Sequence, residues 1–328
     1  MIFQQQTKLI GGEQELADDG RFYGVTNSGR SSLRWLIQSM ELKGKTVLVP
    51  DFVCQIVIDV LLEFDIKIHF YAVGDDFDFV LPNSLEDIDV IYIVKYFGHE
   101  SKSFKLALKM STRPLIIDDV FGTDVPNIEA PILWGYFNSL RKITAISDFS
   151  QIVANVPLVE IDRKSLSVFS SLKYQAKRVK SEFINTCIGE QIEYLAVFEQ
   201  AENMLNSHEG IFKPEDKSVV LAGQFQRNYI DSQSIRQKNL KIAKECLNSS
   251  QYIDICPEFP SFLPLILHQR DKVRRGLMDH GVFLAVHWPE TIQSENGLSC
   301  KILSLPLDPR YSDRDIKWVC ALIKKLEQ

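Results

Sequence analysis

No two cysteines of the chain stand in CxxC spacing, and none falls into a Cys/His ligand pattern, so the sequence carries no mark of a zinc site. Cys54, Cys187, Cys246, Cys256, Cys300 and Cys320 are scattered, which predicts reduced thiols in a cytosolic protein rather than a disulfide framework. No segment reaches the roughly 18 uninterrupted apolar residues of a membrane span. Residues 1–19 carry glutamines and acids where a signal peptide would carry a basic and then an apolar stretch. The expectation is a cytoplasmic protein without a membrane partner. Excess positive charge is missing as well: 37 Lys and Arg face 43 Asp and Glu, for a net charge of -6, which excludes an electrostatic footprint for nucleic acid. There is no internal repeat and no low-complexity tract. What remains is an ordinary globular composition, 45% apolar and 24% charged, in 328 residues. That length supports one large or two moderate domains and needs neither disulfide nor metal to fold.

Short apolar runs alternate with helical periodicity through the first half. Strands are predicted at 46–49, closed by Pro50, and at 66–71, 90–94 and 114–117, the last ending in Asp118 and Asp119. Between them, Leu33, Leu36, Ile37 and Met40 share one helical face, and residues 53–64 read as a second helix. Alternation of this kind implies an α/β fold: a mainly parallel mixed sheet flanked by helices, with ligands gathering at the carboxyl ends of its strands. A further strand is expected at 152–161, and helices over most of 165–207, whose Leu172, Val179, Phe183, Ile184, Ile188, Tyr194, Leu195 and Phe198 suit core or inter-subunit packing. Beyond Pro214 a smaller C-terminal α+β domain is predicted. It has a helix at 231–248, a strand at 262–268, a helix at 271–280, strands near 282–286 and 302–306, and a capped helix from Ser312 through 316–326. The division is therefore 1–213 and 214–328.

Three local features suggest chemistry. Val25, Thr26, Asn27, Ser28, Gly29, Arg30, Ser31 and Ser32 form a small, hydroxyl-rich turn before a helix, suited to a phosphate or simply to an N-cap by Asn27 or Ser28. Asp118 and Asp119 at a strand's end either hold a cation or close a turn. Lys142 lies between the apolar run ending in Trp134 and the one at 152–159, where a lysine is expected to be pressed between buried elements.

These stretches coincide with one pattern. The chain resembles the DegT/DnrJ/StrS sugar aminotransferases, which use pyridoxal 5'-phosphate (PLP) on the aspartate-aminotransferase fold, and among them a subgroup of surface-polysaccharide biosynthesis. The matching pieces are Asn27 to Leu33, Val49 to Cys54, Tyr96-Phe97-Gly98, Ile117-Asp118-Asp119, Ser139 to Lys142, Val286-His287-Trp288-Pro289, Leu305-Pro306 and Tyr311 to Ile316. The resemblance implies that Lys142 forms the Schiff base with PLP and carries the proton. It implies that Asp119, with Asp118 beside it, keeps the pyridine nitrogen protonated, and that Ser28, Gly29, Arg30 and Ser31 receive the phosphate. Asn138 or Ser139 supplies a hydrogen bond before the lysine. The ring-stacking aromatic would fall at Cys54, with Phe52 the nearest aromatic, and Gly122 stands where relatives carry Gln or His. Glycines that follow the lysine in relatives are replaced by Ser147, Asp148, Phe149, Ser150 and Gln151.

The activity so implied is transfer of an amino group, from glutamate, to a nucleotide-linked keto-sugar, in a homodimer. His287 and Trp288 are weak candidates for lining the sugar pocket, against simple packing at a domain junction, and His99 is a weak candidate against an ordinary loop residue. Two alternatives stand beside this reading. One is a cofactor-poor relative that binds a sugar nucleotide or a partner enzyme without turnover, favoured by Gly122, Cys54 and the lost glycines. The other is a PLP-dependent sugar dehydratase, against which Lys142 counts, because dehydrating relatives carry histidine there.

Overall fold

A computed structural model describes residues 18–162, 164–186, 188–289 and 297–327. Cys187 and residues 1–17 of the N-terminal stretch lie outside the described residues. In chain order the elements begin with β1 (Phe22–Thr26), α1 (Gly29–Ser39), β2 (Thr46–Pro50), α2 (Gln55–Leu62), β3 (Lys67–Tyr71) and β4 (Val90–Val94). They continue through α3 (Lys102–Met110), β5 (Leu115–Asp119), β6 (Trp134–Asn138), α4 (Leu140–Ile143), β7 (Ser150–Ala154) and β8 (Lys164–Ser165). A hairpin of two long helices follows, α5 (Ser167–Thr186) and α6 (Gln191–Asn206), then β9 (Phe212–Lys213), α7 (Asp216–Arg227) and α8 (Tyr229–Cys246). The chain closes with β10 (Phe262–Ile266), α9 (Arg270–Met278), α10 (Leu298–Lys301), β11 (Ile302–Pro306) and α11 (Asp313–Glu327).

Seven strands form one sheet in the order β1-β7-β6-β5-β4-β2-β3. Pairs from β3 through β6 are parallel, whereas β7 runs antiparallel to both β6 and β1. Every residue of β4, β5 and β6 is buried, as expected of central strands covered on both faces; β4 and the first three residues of β5 read in sequence as apolar runs, whereas β6, with Gly135 and Asn138, is not predicted as a strand. The two aspartates are the last residues of β5 itself, not a turn after it. A second sheet pairs β10 with β11 antiparallel. One continuous hydrophobic core joins Leu36 and Ile93 of the large sheet to Leu263 and Ile323 of the C-terminal part.

Three expectations are corrected. Trp134 opens a strand instead of ending a run, because Trp134 pairs with Leu115 in parallel register. The strand expected at 152–161 is Ser150–Ala154, and its antiparallel register ends at the Ala154 pairings with Phe22 and Gly135. The predicted strand near 282–286 is reduced to a single bridge between Ala285 and Ser304. The helix α7 has no counterpart in the sequence reading: its inward face of Ser218, Leu221, Ala222 and Phe225 is only partly apolar, while the apolar Val219 and Val220 beside it are exposed.

Candidate active site

The carboxyl ends of β1, β2, β5 and β6 open on the same edge of the sheet, and a cavity of about 190 Å³ lies there. Gly29 and Arg30 reach it from the start of α1, Cys54 from the turn after β2, Asp118, Val120 and Phe121 from the end of β5, and Ser139, Arg141 and Lys142 from the turn after β6. Glu202 of α6 and the pair His287 and Trp288 complete the wall.

Lys142 sits on α4, a helix of four residues whose Leu140 and Ile143 are buried while Lys142 is exposed. That exposure is to the cavity: a water molecule can touch the side chain, but protein surrounds the amine. The expectation of a lysine pressed into packing is thus replaced by a lysine projecting into a pocket. Its pKa is lowered, first by desolvation and then by the Arg141 guanidinium, which favours the neutral amine. The turn beneath it is pinned by Lys177 of α5, whose amine donates to the carbonyls of Arg141 (3.4 Å), Thr144 (3.1 Å) and Ile146 (2.6 Å). A four-residue helix cannot satisfy its own C-terminal carbonyls, and this amine does so, although burial, with Lys173 adding, lowers it to about 7.

The two aspartates face opposite ways, because successive side chains of a strand alternate between the faces of the sheet. Asp118 lines the cavity. It accepts from the Tyr92 hydroxyl (2.6 Å) and the Val120 amide (3.2 Å), and burial raises its carboxyl to about 6 against the pull of those donors and of Lys142. Asp119 is fully buried away from the cavity, 3.3 Å from the Lys95 amine and 3.2 Å from the Tyr136 hydroxyl. Burial raises the Asp119 carboxyl to about 7 against Lys95, yet Lys95 is itself raised, with Asp119 and Glu100 outweighing its own desolvation. We take the pair as ionised, because Lys95 keeps both acids within 3.5 Å. Of the two, Asp118 lines the cavity and Asp119 does not, although the Asp119 Oδ1 is itself buried without a hydrogen-bond partner. Gly122 also acquires a reason: a Cβ there would lie 2.0 Å from the Asp119 carboxylate, so that carboxylate fills the space a side chain would need.

Cations gather on the opposite rim. Glu202 accepts from Arg30 (3.0 Å), Arg141 (2.9 Å) and Lys173 of α5 (2.7 Å). Burial pushes the Glu202 carboxyl up, but Arg141, Lys173 and Arg30 together hold it far below the usual range. Burial lowers the Lys173 amine to about 8, with Arg141 adding to the effect. Even so, Arg30 Nε, Arg141 Nε and the Ser139 hydroxyl are buried without a hydrogen-bond partner. Three unmet polar groups around one cavity ask for an acceptor.

Neither protein-family models nor curated protein sequences give a match to this chain. Solved structures do. A DegT DnrJ EryC1 StrS aminotransferase from Brucella abortus superposes with a TM-score of 0.62 at 13% identity, covering 93% of this chain and 86% of that one. PseC of Helicobacter pylori, an aminotransferase involved in the biosynthesis of pseudoaminic acid, gives 0.62 at 14% identity over 93% and 86%. DesI, crystallised in the presence of its TDP-sugar product, gives 0.57 at 13% identity over 92% and 80%. The chain has the fold of the sugar aminotransferases.

Within that fold the remaining wall is aromatic. Trp288 is 7% exposed and packs on Phe52, Tyr96, Phe97 and Phe121 with ring centroids 5.1 to 5.6 Å apart. Its backbone is left-handed, with φ 50, as is that of Phe97 with φ 54, a conformation that bulky residues rarely adopt. His287 bonds through Nδ1 to the Ser304 hydroxyl at 2.8 Å, and burial, then Lys142, lowers its imidazole to about 3, so it is neutral.

Other expected residues are brought near the cavity but not into it. Ser28 caps α1 by accepting from the Ser31 amide, and Asn27 Oδ1 accepts from both hydroxyls at 2.8 Å, so these side chains hold the helix start that Gly29 and Arg30 present. Phe52 lies beneath Trp288, and Asn138 faces β7, where its Oδ1 accepts from the Gln151 amide. His99 is not part of the cavity wall; its ring nitrogen accepts from the Cys256 amide at 3.3 Å. Sequence reasoning missed Glu202, Lys173 and Phe121. Glu202 and Lys173 carry no local signal, and Phe121 follows from the one-residue shift between Asp119 and Asp118.

Proposed function

We propose that the chain is a PLP-dependent aminotransferase acting on a nucleotide-linked keto-sugar. The observation that carries this is the convergence of an accessible, desolvated Lys142 amine, a buried Asp118 carboxylate and an acceptor-poor cationic rim on one cavity. The donor set suits the cofactor: the phosphate supplies the acceptors that Ser139, Arg30 and Arg141 want, next to the N-terminus of α1. Gly29 lets the start of α1 pack against Phe137, whose ring a Cβ there would meet at 3.3 Å. Asp118 suits a protonated pyridine nitrogen. When bound, the cofactor contributes an electron sink for a substrate carbanion.

The protein's part is positional and electrostatic. Lys142, kept towards its neutral form by desolvation and Arg141, would hold the cofactor through its aldehyde carbon and, once the incoming amine had displaced it and freed its nitrogen, would take and return the substrate's Cα proton as general base. Asp118 would keep the ring nitrogen charged. Neutral His287, with Trp288, forms the wall against which the sugar rests. We assign glutamate as amino donor, surface polysaccharide or amino-sugar synthesis as the setting, and the cytoplasm as the location. The division at residue 213 is kept as a domain proposal. A homodimer is also proposed, with the apolar Ile184, Ile192 and Leu195, exposed on the α5–α6 hairpin, as its support. Among the described residues no helix is long and apolar enough to cross a membrane.

The test is to add PLP and follow absorbance, then reduce with borohydride and locate the label by mass spectrometry. The label is expected on Lys142, with loss of colour in Lys142→Ala and amino transfer from glutamate to a panel of nucleotide-linked keto-sugars. A colourless protein that binds a sugar nucleotide would replace the enzyme with a binding module.

A further inference from the structure

The cations on the cavity rim are already engaged by an acid of the chain itself. Arg30, Arg141 and Lys173 carry three positive charges, and Glu202 returns one, which leaves two. The carboxylate takes terminal nitrogens of both guanidiniums and leaves the two Nε donors and the Ser139 hydroxyl unmet. Arg141 is 9% and Ser139 1% exposed, so these are built-in groups, not mobile surface side chains. Asn206, one turn further along α6, also accepts from Arg30, so the end of α6 as a whole is fastened to the start of α1.

We propose that Glu202 is an internal counter-anion that sets the affinity and charge selectivity of this subsite for a ligand's phosphomonoester. Resting on the PLP reading for the identity of the ligand, the proposal adds a function for α6 that the reading does not contain. A dianion matches the two positive charges left over and meets the unsatisfied Nε and hydroxyl donors, while Glu202 keeps the guanidiniums aligned. The same carboxylate repels the incoming phosphate at close range and with little water between, where like charges act strongly. Glu202 therefore weakens phosphate binding relative to what three cations alone would give, and an uncharged or monoanionic ligand gains little from the site.

The experiment is calorimetric titration of inorganic phosphate at constant ionic strength, and of PLP against pyridoxal, into wild type and Glu202→Gln. Glutamine keeps the size and one acceptor but removes the charge. Phosphate is expected to bind the variant about ten-fold tighter or more, with PLP gaining while pyridoxal does not. Equal or weaker phosphate binding in a folded Glu202→Gln overturns the proposal. Should that variant not fold, Glu202→Asp replaces it: its shorter carboxylate reaches the rim less well, and a gain of roughly two- to five-fold is expected, with no gain counting against the proposal. The two readings separate cleanly. A wild type that never labels at Lys142 while Glu202→Gln gains phosphate affinity loses the transaminase and keeps this subsite; labelling without that gain does the reverse.

Discussion

Replacing Asp118 by asparagine is expected to stabilise the protein at neutral and alkaline pH while disabling its site. In the folded chain, burial raises the Asp118 carboxyl from 3.8 to about 6. Between those values the native state holds a proton that the unfolded chain has lost, so stability falls as pH rises through the window. The full penalty, present above it, is about 3 kcal/mol. Asparagine still accepts from the Val120 amide but pairs less well with the Tyr92 hydroxyl, a loss of about 1 kcal/mol. The net expectation is a gain of about 2 kcal/mol at about pH 8 that vanishes near pH 4.5. Asp119→Asn should behave oppositely at pH 8, losing about 3 kcal/mol, because it strands the buried Lys95 with Glu100 alone. Urea unfolding across this pH range measures both. A destabilised Asp118→Asn at pH 8, or an Asp119→Asn that gains stability, would refute the opposed facing of the two side chains. Colour on adding PLP gives a second readout, lost in Asp118→Asn and retained in Asp119→Asn.

Two further outcomes follow from the geometry. Gly122→Ala puts a methyl where the Asp119 carboxylate lies, 2.0 Å away, and should cost roughly 3 kcal/mol in urea unfolding by breaking the Lys95 pair. Lys177→Met uncovers the carbonyls of Arg141, Thr144 and Ile146, and hydrogen exchange across residues 140–147 should quicken by at least about ten-fold, with partial recovery in Lys177→Arg.

β4 and β5 were legible because burial leaves an apolar run, and Val90–Val94 was bounded to the residue, whereas the equally buried Trp134–Asn138, broken by Gly135 and Asn138, was not. Lys142, Cys54, Gly29 and Arg30 were grouped by the family resemblance alone, and in the fold they meet because each follows a strand that ends on the same edge. The choice between Asp118 and Asp119 could not be read, since adjacent residues differ only in the face they take, and that depends on the register of β5 against β4 and β6. Glu202 was invisible for another reason. It approaches from a helix that begins 53 residues after the end of β6 and matters only through charges it meets in space. Trp288 was noticed as a large amphipathic side chain, but its left-handed backbone has no signature in the residue type.

The pairing of β1 bears on when the site comes into being during synthesis. Residues 22–26 cannot join the sheet until their partners at 150–154 have left the ribosome, and the Asn27 amide then waits for the Phe212 carbonyl, 2.8 Å away in the finished fold. Arg30 finds Glu202 and Asn206 at the same late stage. At roughly 5–20 residues per second, an early-made loop spends on the order of ten seconds or more without its neighbours. Contacts of such sequence separation are slow to close, so the turn at Asn27–Ser31 is translated before its partners and is among the last segments secured. A nascent chain stopped before residue 200 would hold Asp118 and Lys142 yet lack a finished rim, and PLP supplied during translation should act on the completed chain rather than guide its assembly.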